Sequence, residues 1–155
     1  MSKIIVLFVI MGFVACGTVA RSQSLDVQER CASEARKAFQ ELEDENKAKY
    51  NQSTLIDKGG SDYQSHYNTK LNRCLMLINR RTVLPLSTNL SDQQRQSLLV
   101  DANERRYYAN YIETQLAVET KPKIEMCELM PGMRRKTVCT TREEFDAFAA
   151  TYLEQ

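Results

Sequence analysis

The sequence holds a single histidine, His66, among its 155 residues. A serine or cysteine nucleophile ordinarily needs a histidine base oriented by a third group, and no G-x-S-x-G turn is present either. One histidine also falls short of a zinc shell, which takes three or four nitrogen and sulfur ligands, so no metal or cofactor is expected. Glycine is scarce at five residues, and Gly59-Gly60 lacks the spaced glycines and the Lys-Ser/Thr of a phosphate-cradling loop. Charge of one sign is missing too, with 21 basic against 20 acidic side chains. Without a basic excess to neutralise phosphates, nucleic acid is disfavoured as a partner. The longest apolar run, Ile4 to Ala15, is shorter than the about 20 residues that cross a bilayer.

That short run gives the first positive signal. Lys3 precedes it, small residues follow, and the chain turns polar at Arg21, so residues 1–20 read as a signal peptide. A cut after Ala20 leaves residues 21–155, enough for one domain. Phe13-Val14-Ala15-Cys16 resembles a lipobox except that Phe13 stands where leucine is usual. A cut before Cys16, with lipid on its thiol, is therefore the alternative, and it would hold the domain on a membrane. Either cut leaves Cys31, Cys74, Cys127 and Cys139, an even number without a close C-x-x-C pair. In an oxidising compartment such cysteines form disulfides.

Val27, Cys31, Ala35, Ala38 and Leu42 recur at helical spacing, which predicts a helix over about 26–50 with Asp26 and Glu29 at its cap. Tyr63 and Tyr67 are one helical turn apart and suggest a short helix. Cys74-Leu75-Met76-Leu77-Ile78, bounded by Asn79-Arg80-Arg81, reads as a strand buried on at least one face, although a continuing helix fits the same residues. Residues 82–94 read as a connection around Pro85. Residues 95–113 read as two strands about a turn near Asn103-Glu104, with one long helix from a Ser91–Gln94 capping box as the rival. Residues 123–139 form a hairpin whose register sets Cys127 opposite Cys139. By elimination Cys31 then pairs with Cys74. Thr141 and Glu144 cap a terminal helix carrying Phe145, Phe148, Ala149 and Tyr152. The expected fold is α+β: an antiparallel sheet of about four to five strands with the N-terminal and C-terminal helices on one face.

The strings "DYQSHYNTKLNRC", "DANERRYYANY" and "CTTREEFDAF" resemble a family of small exported bacterial proteins with four cysteines in the mature domain. The resemblance implies export and a single domain. It implies no activity, substrate or cofactor.

Two features suggest binding. Tyr63, Tyr67, Tyr107, Tyr108 and Tyr111, with His66 among them, could line an exposed groove suited to sugar or peptide, or simply fill the core. Arg105-Arg106, Arg80-Arg81 and Arg134-Arg135-Lys136 could converge on one anionic partner, since guanidinium forks match carboxylate and phosphate. Against these, "ELEDENK" at 41–47 is acidic and reads as a solvated face. The expected role is a non-catalytic exported module of the cell envelope, periplasmic or secreted, binding an envelope protein or a cell-wall component. The alternatives are a small periplasmic hydrolase working through carboxylates, with His66 accessory, and a lipid-anchored structural protein.

Overall fold

Five consecutive residues, Cys74 to Ile78, are buried. Side chains alternate between the faces of a strand, so such a run requires cover on both sides of a sheet. The computed structural model describes residues 16–50, 60–85, 91–131 and 136–154. Its elements are α1 (Cys16–Tyr50), β1 (Ser61–Asn68), β2 (Arg73–Pro85), β3 (Ser91–Asp101), β4 (Tyr107–Gln115), β5 (Lys123–Leu129), β6 (Thr137–Val138) and α2 (Arg142–Leu153). The strands form one antiparallel sheet in sequence order, each paired with the next. The leader and lipobox residues up to 15 lie outside the described residues.

The two helices cover opposite faces. Leu75 and Leu77 of β2 join Leu99, Ala109 and Tyr111 around Phe145 and Ala149 of α2. Cys74, Met76 and Ile78 join Leu98 and Val100 around Cys31, Ala35 and Ala38 of α1. The α+β class with a helix at each end is as expected, whereas the placement of both helices on one face is corrected. An unbroken apolar strand needs a partner on each side. The sheet has six strands, the sixth only two residues long.

Several local readings change with it. The segment carrying Tyr63 and Tyr67 is strand β1, because a spacing of four puts residues on one face of a strand as well as of a helix. Strand β2 continues through Arg80-Arg81 to Pro85 and β3 starts at Ser91, so residues 82–85 and 91–94 belong to the sheet rather than to a connection. Helix α1 begins at Cys16, which leaves Asp26 inside it instead of at its cap. The long-helix rival for 91–113 falls to β3 and β4, joined at a turn in which the Asp101 carboxylate accepts from the backbone N–H of Asn103 and of Glu104, each at 2.9 Å.

Both disulfides form as expected. Cys31–Cys74 ties α1 to β2 and Cys127–Cys139 closes the last hairpin, with Cα separations of 5.2 and 5.1 Å. Thr141 caps α2 by accepting from the Glu144 N–H at 3.2 Å, while the Glu144 carboxylate accepts from the Thr140 N–H at 2.7 Å. At the other edge Gln28 of α1 grips β1: its carbonyl accepts from the Tyr67 N–H at 3.1 Å and its amide donates to the Tyr67 carbonyl at 3.3 Å. A side-chain amide thus takes the place of a further strand at that point of the edge.

Candidate functional site

The register sorts the α2 face of the sheet into rows. One row runs Leu77, Leu99, Ala109 and lies under α2. The next runs Asp62, Asn79, Ser97, Tyr111. The last runs Gly60, Arg81, Arg95, Glu113, with the Gly60 carbonyl accepting from the Arg81 N–H at 3.1 Å. Across about 14 Å, two strand repeats for each step between rows, the surface therefore passes from apolar to polar to charged. Helix α2 begins only at Arg142, above the middle row, and in the charged row Arg81 and Arg95 stay exposed while Glu113 is buried. The result is a cleft of about 520 Å³ lined by Asp62, Asn79, Arg81, Arg95, Glu113 and Arg142 among others. A Cβ added at Gly60 would meet nothing within 4 Å, so the strand edge here leaves space.

A chain of hydrogen bonds crosses the middle row. Arg142 Nη1 donates to Ser97 Oγ at 3.0 Å, Ser97 Oγ to Asn79 Oδ1 at 2.8 Å, and Asn79 Nδ2 to Asp62 Oδ1 at 3.1 Å. One helix and three strands are tied together by it. The Arg142 guanidinium also lies 5.1 Å from the Tyr111 ring centre and 5.5 Å from that of Phe145, and its Nε donates to Asp146 at 2.9 Å. Beneath, Tyr111 donates its hydroxyl to Glu113 Oε2 at 2.9 Å, and Glu113 Oε1 stands 3.5 Å from Arg95.

Burial, followed by the bond to Glu113 and that carboxylate's charge, pushes the Tyr111 hydroxyl up to about 12, with Arg142 opposing. The folded protein thus holds this proton more tightly than the unfolded chain, whose tyrosines ionise near 10. The stabilisation is complete below about pH 10 and is lost as pH rises toward 12. We expect Tyr111 to ionise with alkaline unfolding, and Tyr111→Phe to raise the pH of that transition. Titration of every tyrosine near pH 10 in a still-folded protein would contradict the assignment.

The residues singled out from sequence are not brought together. Tyr63 and Tyr67 lie on the α1 face, Tyr63 stacked on Phe39 at 4.6 Å and Tyr67 packed on the same cluster. Tyr111 is 1% exposed on the α2 face, with Tyr108 buried beside it against Tyr152 at 5.2 Å. Tyr107 is exposed, in register with Val100 next to a β-bulge. The sheet itself separates these rings, so they share no groove. His66 pairs with Leu75 on the α2 face and does not line the cleft.

The arginines divide as well. Arg105 bonds Glu41 and also Glu45, the latter at 2.8 Å, while Arg106 pairs with Glu104 at 3.1 Å. Arg80 pairs with Glu43 at 2.8 Å. The acidic stretch of α1 is thus a docking seam for sheet arginines. Residues 134 and 135 lie outside the described residues. Arg80 and Arg81 both border the cleft, Arg80 held by Glu43 and Arg81 with its side chain on the α2 face. Arg95, Ser97 and Glu113 carry no local signal; the strand register assembles them, and α2 brings Arg142 over them.

Among the described residues no group of three or more His, Cys, Asp and Glu stands close enough to hold a metal, and no helix is long and apolar enough to cross a membrane. By architecture the chain is an α+β domain with an open antiparallel sheet between two helices, bearing a polar cleft at one end of one face. Comparison with family models, curated proteins and solved structures finds no match, so the cleft is read on its own geometry.

Proposed function

We propose that this chain is a non-catalytic binding module whose cleft holds an anionic group between Arg81 and Arg95. The observation that carries it is the register: these arginines stand directly opposite one another on β2 and β3, at the uncovered end of the sheet. Like charges directly opposed on neighbouring strands destabilise a sheet. A bound carboxylate or phosphate relieves that repulsion and accepts from both forks. Among the described residues the hydrogen-bond partner of Arg81 is the neutral Gln93.

Titration of the full chain with acetate and with inorganic phosphate, followed by side-chain amide and guanidinium shifts, tests this. Binding localised to Arg81 and Arg95 is expected, with Arg81→Gln and Arg95→Gln each weakening it by about 10- to 100-fold, the range for one hydrogen bond to a charged group. Arg36→Gln, on an exposed part of α1, should leave it unchanged. Unaltered binding in both cleft variants sinks the reading. Arg81→Gln should also fold at least as stably as the parent, because it removes the opposed charge.

The module is further proposed to act outside the cytoplasm, in the periplasm or secreted, or on the envelope surface through lipid on Cys16. What supports this is the leader-like composition of residues 1–20 and the two paired cysteine sets. Intact mass of the natively purified protein tests it. A chain starting at Arg21 or at an acylated Cys16, with four thiols appearing only on reduction, is expected; an uncut chain with free thiols rejects export.

A further inference from the structure

Charge accounting within the cleft narrows the ligand further, on the basis of the anion-binding reading above. Arg80 is answered by Glu43 at 2.8 Å and Arg142 by Asp146 at 2.9 Å. Glu113 is answered by Arg95 at 3.5 Å and by the Tyr111 hydroxyl at 2.9 Å. Two lining charges remain whose described partners are neutral: Arg81, bonded to Gln93, and Asp62, bonded to Asn79. They have opposite signs. Because Asp62 is in register with Asn79 and Arg81 lies two residues further along β2, the two are diagonal neighbours on one face, about 7–8 Å apart at Cα. Among the described residues no ion pair joins them.

We propose that the cleft takes a small zwitterion, a free amino acid or a dipeptide, with its carboxylate at Arg81 and Arg95 and its ammonium at Asp62. The Asp62 carboxylate is exposed and spends one described hydrogen bond on Asn79. An ionised carboxylate offers about four acceptor sites, which leaves room for an ammonium. The neutral groups of the cleft argue against a sugar. Ser97 and Asn79 are committed to the chain that runs from Arg142 to Asp62, so hydroxyls would meet few uncommitted partners. The lining carboxylates Asp62 and Glu113 favour a singly charged carboxylate over a phosphate dianion at the arginines. A volume of about 520 Å³ lies within the range of small-molecule pockets and exceeds the needs of a single inorganic ion.

The test is calorimetric titration of the full, disulfide-bonded chain with L-alanine, glycylglycine, acetate and ethylamine. One of the two zwitterions is expected to bind at least about tenfold more tightly than acetate, as one added charge-assisted hydrogen bond would give. Asp62→Asn should reduce that zwitterion to the level of acetate while leaving acetate itself unchanged. The variant keeps an oxygen to accept from Asn79 and sits on an exposed strand edge, so folding is preserved. Acetate binding as tightly as both zwitterions overturns this inference and leaves the anion-binding reading standing. So does a zwitterion preference that survives Asp62→Asn. If none of the probes binds, both fail.

Discussion

Replacing Cys31 and Cys74 together by alanine should lower stability by roughly 4 kcal/mol, the larger of the two disulfide effects in the loop-entropy account. The bridge closes 43 residues, against 12 for Cys127–Cys139, for which the same account gives roughly 3 kcal/mol. Domains of this kind hold about 5–15 kcal/mol in total, so the loss is a large fraction. The position of the bridge adds to the case. Helix α1 buries small side chains against the sheet, chiefly Cys31, Ala35 and Ala38, with Phe39 and Leu42 partly covered. Little apolar area holds it, and the pairs from Arg105 to Glu41 and Glu45 are exposed to solvent and screened by it. Denaturant midpoints of the double variants should therefore rank parent, then Cys127/Cys139, then Cys31/Cys74 as least stable. Amide exchange should show α1 opening before the sheet in the last of these. A Cys31/Cys74 variant as stable as the parent, with α1 equally protected, would remove the bridge from any account of how this helix stays docked.

How much of this could be read from the chain depends on whether the deciding contact is local. The cap at Thr141, the hairpin register that opposes Cys127 and Cys139, and the stripe Cys31, Ala35, Ala38 are all set within a few residues, and each stands in the structure. The spacing of four between Tyr63 and Tyr67 satisfies both a helical turn and one face of a strand, so it does not distinguish them. The side on which each helix lies was encoded in Cys74–Ile78, whose unbroken apolar character implies two covered faces. Once that run is read as two-sided, one helix per face is the economical arrangement.

The cleft was far less legible. Its charged row unites Arg81, Arg95 and Glu113 from three strands, and only the pairing of all three places them side by side. A shift of one residue in either register would have turned those side chains to opposite faces. The acidic stretch and the arginine doublets were visible separately, yet their mutual pairing spans 37 residues for Arg80 with Glu43 and 64 for Arg105 with Glu41. Tyrosine content does not separate a groove from a core, because aromatic residues serve cores and binding surfaces alike. Here Tyr111 does a share of both: its ring is buried in the core, while its hydroxyl holds a carboxylate at the floor of the cleft.

That dual role makes Phe145→Ala the second large effect. Phe145 is fully buried, stacked 5.5 Å from Tyr111, and α2 has only one other fully buried residue, Ala149. Removing a buried phenylalanine costs about 3–5 kcal/mol, and a helix of 12 residues with a single large anchor has little means to close the cavity. Phe148→Ala, at a half-buried position beside Tyr152, should cost less than half as much. Because the Arg142 guanidinium rests on both the Phe145 and Tyr111 rings, the loss reaches the cleft. Phe145→Leu keeps most of the apolar volume and should remain folded, with a cost of about 1–2 kcal/mol. In that variant Arg142 loses one aromatic platform, so its side-chain resonances should broaden or shift while those of Arg80, paired on the α1 side, stay in place. Equal costs for Phe145→Ala and Phe148→Ala, or an unmoved Arg142 in Phe145→Leu, would show that α2 is anchored elsewhere and that the cleft is built independently of the core beneath it.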